Sequence, residues 1–204
     1  GETTGFAHTS DLTEAGLLAT ARTAAEAAGR GAGGVRTVAL TPAPEREVNR
    51  VGRRPEELPK TAKVELLTRI DEAARSAGAA IVQVSAGYSD SRKRVLIANS
   101  DGLLAGDDIT RVLTRINVVA NGDTGMQTGF QSMGHTVGWE VFDPESELFV
   151  DVEELARDAA RQALVKLKAR PAPSGAMPVV IRNGTGGVLF HEACGHGLEA
   201  DHIQ

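Results

Sequence analysis

The chain contains a single cysteine, Cys194, among its 204 residues. An internal disulfide is therefore excluded, and one free thiol suits a reducing compartment such as the cytoplasm. The sequence also contains no run of about 18 apolar residues, the length that a membrane-spanning helix needs. We therefore expect a cytoplasmic protein without a membrane-spanning helix.

Two further classes of function are disfavoured by the sequence. Lysine and arginine number 22 against 27 aspartates and glutamates, which gives a net charge of −5. Because no run of five or more basic residues is present, the charge pattern argues against a nucleic-acid-binding surface. No Gly-x-Ser-x-Gly segment occurs, so a serine hydrolase built on a nucleophile elbow is disfavoured as well.

The strongest chemical pattern is a pair of histidines that flank a glutamate near the end of the chain, His191, Glu192 and His196. Neutral imidazole is a common zinc ligand, and a glutamate beside the first ligand can act as a general base. Zinc-peptidase helices place the two histidines at i and i+4, on one face. Here the spacing is i+5, which on a regular helix sets the side chains about 140° apart. We therefore predict a π-bulge between the histidines, made easier by Gly195.

The segment that leads to the histidines has the pattern of a strand, a loop and a helix. Residues 177–181 form a short apolar run, residues 182–187 are rich in glycine, and residues 188–190 open an apolar helix. This helix is expected to carry the histidines onto a buried face. A phosphate-binding loop is the alternative for the glycines, but Leu189 stands where a dinucleotide fingerprint needs glycine. The pattern favours a tight turn that leads into the metal-binding helix.

Two neighbouring residues leave alternatives open. Cys194 follows His191 by three residues, so on an undistorted helix it could share a metal with that histidine and exclude His196. Otherwise it is a small buried thiol. Glu199 follows His196 by three residues, and is either a carboxylate that supports the metal ligand or a surface residue.

The rest of the chain predicts an α+β fold, an antiparallel sheet flanked by helices. Apolar residues spaced by three and four, with capping residues, predict the helices, and short β-prone runs predict the strands. The predicted helices span residues 11–28, 60–77 and 151–168, and the predicted strands span residues 35–40, 79–86, 94–99, 109–121 and 128–141. A turn is predicted at residues 87–91, between the second and third of these strands.

Residues 186–201, Gly-Gly-Val-Leu-Phe-His-Glu-Ala-Cys-Gly-His-Gly-Leu-Glu-Ala-Asp, closely resemble the active-site segment of the TldD subunit of the TldD/PmbA family of zinc metallopeptidases. Shorter likenesses follow in order upstream, so the resemblance covers nearly the whole chain. They lie at residues 5–8, 97–102, 122–126 and 170–175. The partner subunit of that family has no His-Glu motif, so this chain resembles the catalytic partner.

The resemblance implies a zinc-dependent metalloendopeptidase that hydrolyses peptide bonds in unfolded or extended peptides, in proteolytic maturation or degradation. It assigns His191 and His196 as zinc ligands and Glu192 as the catalytic base. The third ligand of the family is a cysteine, expected beyond Gln204. A motif-lacking sister subunit or a second copy of the chain is the implied partner, and a peptide bound in extended form is the implied substrate.

The domain organisation follows from the same resemblance. We expect residues 1–175 to form an α+β N-terminal and central region and residues 176–204 to begin the catalytic domain. Since members of the family are longer at both ends, we expect an internal fragment that is inactive alone. The alternatives are a non-catalytic binding or scaffold subunit, which the intact His-Glu-His set disfavours, and a metal-binding regulator without hydrolysis.

Overall fold

The computed structural model describes residues 4–29, 37–43, 51–184 and 186–203. Its helices are α1 Glu14–Ala27, α2 Lys60–Arg75, α3 Val152–Lys166, α4 Gly186–Phe190 and α5 Ala200–Ile203. Its strands are β1 Thr41–Pro42, β2 Ile81–Ala98, β3 Leu103–Gly122 and β4 Gly125–His135. Single turns of 3₁₀-helix occur at Pro55–Glu57, Trp139–Phe142 and His196–Leu198, and a π turn at His191–Gly195. None of the described helices has the length and the apolar character that crossing a bilayer requires.

The sheet is built around β3. Strand β2 pairs with it antiparallel along almost its whole length, and β4 pairs antiparallel with its second half on the other edge. Strand β1 adds a short parallel pairing at the start of β3. At the turn between β2 and β3, the Asn99 side chain accepts hydrogen bonds from the N–H groups of Asp101 and Leu103, and Gly102 adopts a φ of 92°. The predicted α+β class, with an antiparallel sheet flanked by helices, is confirmed.

The predicted turn at residues 87–91 is wrong, because β2 runs through it without interruption. Gly87 pairs with Arg115 and Asp90 with Val112, so β3 supplies a hydrogen-bonding partner throughout the segment. Asp90 also accepts a hydrogen bond of 2.6 Å from the Lys63 ammonium of α2. Local turn propensity is overridden here by pairing with a long neighbouring strand.

The other strand predictions differ from the structure at their ends. The strand predicted at residues 128–141 ends at His135, and a 3₁₀ turn follows. In that turn Trp139 and Phe142 pack edge to face, with ring centroids 4.9 Å apart, and Tyr88 of β2 lies 5.5 Å from Trp139. Of the strand predicted at residues 35–40, residues 37–40 form none, and residues 35–36 lie outside the described part of the chain.

Helices α2 and α3 pack on one face of the sheet and form the core with it. Both begin and end within two residues of their predicted limits. Helix α3 begins where the Asp151 side chain accepts hydrogen bonds from the N–H groups of Glu153 and Glu154. Most residues of the apolar stripes predicted for the two helices are buried. Leu67, Leu155, Leu164 and Leu167 are half-buried against the core, and Ala77 is exposed. The buried apolar residues are Leu66, Ile70, Ala73, Ala74, Ile81, Val112, Ile116, Val118, Ala120, Met133, Trp139, Val141, Phe142, Val152, Ala156, Ala159, Ala160 and Ala163.

A glutamate joins the 3₁₀ turn at Trp139–Phe142 to the segment before α2. The Glu140 carboxylate accepts hydrogen bonds from the N–H groups of Arg53, at 2.8 Å, and Gly138, at 2.9 Å. Burial raises the pKa of Glu140, but these N–H groups outweigh it, so the net pKa lies below its ordinary value of 4.5. Folding therefore favours the ionised form of this side chain.

We expect Glu140→Gln to lower the free energy of unfolding by about 1–3 kcal/mol at pH 7, because hydrogen bonds to a charged acceptor are lost. The folded pKa is depressed, so the stabilisation is complete above pH 4.5 and disappears as the pH falls through the folded value. Urea unfolding at pH 7 and at acid pH measures this. The exposed Glu147→Gln is the matched control. A difference between wild type and Glu140→Gln that stays constant in acid would contradict this role.

Candidate metal centre

The segment before the site is irregular and unpaired. Residues 171–182 form no regular element, so the strand predicted at residues 177–181 is wrong. Val180 is 98% exposed, and no described strand lies beside it to satisfy its backbone groups. A β-strand requires such a partner, whatever its own propensity.

A tight turn connects this segment to α4. Gly184 adopts a φ of 91°, and the N–H of Gly187 donates to its carbonyl oxygen at 2.8 Å. A Cβ atom on Gly186 would lie 2.5 Å from a side-chain carbon of Ile181, so this position also favours glycine. The described residues of the glycine-rich loop, 182–184 and 186–187, therefore form the tight turn that was predicted.

Helix α4 is exposed rather than buried. Val188, Leu189 and Phe190 are each more than half exposed, so the prediction of a buried face for the histidines is wrong for the described part of the chain. Apolar periodicity identified the helix correctly, but it cannot show what covers that face.

The helix widens immediately after Phe190. The N–H of His196 donates to the carbonyl oxygen of His191, five residues back, which defines a π turn. The predicted distortion between the histidines is therefore confirmed. Gly195 has ordinary helical angles, φ −61° and ψ −51°, so the backbone does not require glycine there. A Cβ atom at Gly195 would lie 3.4 Å from Nδ1 of His191, an ordinary van der Waals distance, so the space beside the ring does not require glycine either.

The π turn brings three side chains together. The ring centroids of His191 and His196 are 4.4 Å apart, at an interplanar angle of 68°. Glu192 Oε2 lies 3.5 Å from Nε2 of His196. One ligand atom from each of the three residues lies within 4.8 Å of the others, and all three residues are exposed. Two imidazoles and a carboxylate are a donor set that suits zinc, so the residues present fit such an ion.

Cys194 is not part of this group of ligand atoms. The i+3 geometry that would join it to His191 belongs to a regular helix, and the π turn replaces that helix here. Cys194 is also exposed, so the prediction of a small buried thiol is wrong.

Glu199 contacts the opposite edge of the His196 ring. Its Oε1 lies 2.7 Å from Nδ1 of His196, within hydrogen-bond distance. The 3₁₀ turn His196–Leu198 places it there, because residues i and i+3 eclipse one another in that helix. The N–H of Glu199 also donates to the His196 carbonyl oxygen at 3.3 Å. The two ring nitrogens of His196 therefore face two different carboxylates.

Comparisons with known proteins place the chain in a family. The model of the PmbA/TldA metallopeptidase central domain matches residues 53–167, which is more than half of the chain. This match covers strands β2, β3 and β4 and the two helices packed on them, and lies within the predicted region 1–175. The boundary predicted after residue 175 stays a prediction.

Two curated relatives extend the comparison. The chain is 40% identical over 146 residues to a metalloprotease TldD homolog of Haemophilus influenzae, covering 72% of this chain and 30% of the relative. It is 34% identical over 199 residues to a metalloprotease of Methanothermobacter thermautotrophicus, covering 98% of this chain and 42% of the relative. The second alignment leaves only a few residues out, so it includes the segment with His191, Glu192 and His196. The chain spans less than half the length of either relative.

One solved structure shares the fold. It is a Thermotoga maritima protein described as a candidate modulator of a DNA gyrase, with a TM-score of 0.55 and 20% identity. The match covers 76% of this chain and 34% of that one. This structure supports the fold alone. The match to the central-domain model over more than half of the chain shows that the site on its π turn lies in a chain that belongs to the PmbA/TldD metallopeptidase family.

Proposed function

We propose that this chain carries the metal-binding segment of a zinc-dependent endopeptidase. The substrates are unfolded or extended peptides, and the role is proteolytic maturation or degradation. The observation that carries the proposal is the π turn, which gathers His191, Glu192 and His196 within 4.8 Å despite their i+5 spacing. Two surface histidines that occur together by chance would not require a π turn, which is rare in proteins.

The three side chains have two roles, metal binding and proton transfer. His191 and His196 hold the ion through neutral imidazole nitrogens. When bound, zinc supplies Lewis acidity, which polarises a peptide carbonyl and lowers the pKa of water. Glu192 accepts a proton from the attacking water and passes it to the leaving amine. The exposure of the site leaves Glu192 open to both water and an extended peptide.

The third zinc ligand and the partner subunit lie outside the set His191, Glu192 and His196. Catalytic zinc sites usually have three protein ligands, and two imidazoles leave one to be supplied. The family resemblance assigns it to a cysteine beyond Gln204. We place the enzyme in the cytoplasm, paired either with a motif-lacking sister subunit or with a second copy of itself.

Metal removal from the complete protein tests the proposal. We expect a chelator to abolish cleavage of an unstructured peptide, and added zinc to restore it, with one zinc ion per site measured by mass spectrometry. The same peptide sequence within a stably folded domain is the matched control and should survive. Stoichiometric zinc without any cleavage would instead indicate a metal-binding regulator. Cleavage that persists after zinc is removed would refute a metallopeptidase.

A further inference from the structure

The two nitrogens of the His196 ring face different carboxylates. Nδ1 lies 2.7 Å from Glu199, whereas Nε2 lies 3.5 Å from Glu192, one of the three residues whose ligand atoms lie within 4.8 Å of one another. A neutral imidazole carries its proton on one nitrogen and its lone pair on the other. The nitrogen that donates to a carboxylate is thereby fixed as the protonated one.

We propose that Glu199 is a positioning residue that holds the proton of His196 on Nδ1 and so presents the lone pair of Nε2 to the metal. The inference rests on the proposed function, since it assigns a role at the same site. Glu199 is outside the group of three residues whose ligand atoms lie together, and would act on a bound ion only through His196.

The backbone supports this role independently of the side-chain contact. A wide π turn brings His196 back towards His191, and the tight 3₁₀ turn that follows brings Glu199 over the far edge of the ring. The backbone hydrogen bond of 3.3 Å between Glu199 and His196 closes that second turn. Two consecutive turns of different width thus set the orientation of one imidazole.

A plain surface ion pair is the competing explanation. The side chains of His196 and Glu199 are each about half exposed, and such a pair contributes little to stability. The two explanations differ in what they predict for the metal. A surface pair would leave metal affinity unchanged, whereas removing a carboxylate that orients a ligand typically weakens metal binding about 10–100-fold.

The experiment combines two measurements on the complete protein. Nitrogen-15 NMR of the metal-free protein reports the tautomer of His196, and competition with a chromophoric chelator reports zinc affinity. We expect Glu199→Ala to shift His196 away from the Nδ1–H form and to weaken zinc binding about 10–100-fold. Glu199→Gln retains a carbonyl acceptor for Nδ1–H, so it should retain the tautomer and lose less affinity. Glu147→Ala removes an exposed carboxylate elsewhere and should change neither.

The outcomes separate this inference from the proposed function. If wild type binds zinc and Glu199→Ala binds it equally well, Glu199 is only a surface partner and the inference fails alone. A weaker affinity with an unchanged tautomer would overturn it too, because the carboxylate would then act merely through its charge. If wild type binds no zinc, the proposed function fails, and the inference with it.

Discussion

Replacement of Glu192 by alanine in the complete protein is expected to lower kcat about 10²–10⁴-fold, the usual contribution of a general acid–base group. Zinc content should stay at the wild-type level, because the two imidazoles that hold the ion are untouched. Glu192→Gln should behave in the same way, since the amide has a similar shape but cannot accept the proton. The measurement is kcat on an unstructured peptide, together with zinc per protein.

Two histidine variants provide the comparison. His191→Ala removes a ligand, so zinc and activity should fall together. His135→Ala changes an exposed histidine at the end of β4 and should affect neither. An active Glu192→Ala enzyme would rule out the role of general base. An inactive variant that has also lost its zinc would show that Glu192 is a ligand, and the proton would then need another acceptor.

The candidate site could be predicted from sequence because its chemistry is local. The i+5 spacing of His191 and His196 is incompatible with ligation from a regular helix, so the π turn follows from geometry alone. The sequence left Glu199 either as a carboxylate that supports the metal ligand or as a surface residue. The contact with His196 forms through a 3₁₀ turn, and the sequence around Gly197 does not reveal that turn.

Burial of the site could not be predicted, because it depends on residues distant in sequence. The apolar run before the π turn is exposed in the described part of the chain, and residues 177–181 have no paired strand. The same limit explains the false turn at residues 87–91. Gly87 and Asp90 favour a turn locally, but pairing with β3 along the whole of β2 outweighs that preference.

The close packing of α3 on the sheet could not be predicted from the sequence either. Periodicity predicted the alanine-rich face of α3, and the structure buries Ala156, Ala159, Ala160 and Ala163 completely. What the pattern could not show is the position on β4 that this face meets. It is Gly129, which was predicted only as part of a strand.

A methyl group at Gly129 is expected to destabilise the fold. A Cβ atom there would lie 1.8 Å from the carbonyl oxygen of Ala159 and 2.9 Å from the backbone nitrogen of Ala163. These atoms belong to the helix backbone and cannot rotate away, so the whole of α3 would have to move off the sheet. Overpacking typically costs 1–3 kcal/mol, and we expect Gly129→Ala to lower the free energy of unfolding by about 3 kcal/mol.

Strand β2, which pairs with the other edge of β3, offers a matched control. Gly87 lies in β2, and the nearest atom to a Cβ there is the carbonyl oxygen of Arg115 at 4.0 Å. Gly87→Ala should therefore leave stability unchanged or raise it by up to about 1 kcal/mol, because alanine loses less backbone entropy on folding. Urea unfolding of the 204-residue chain measures the free energy of unfolding of both variants. The signal is the fluorescence of the single tryptophan, Trp139, which lies in the core. Equal midpoints for Gly129→Ala and wild type would mean that α3 does not approach β4 as closely as the structure places it.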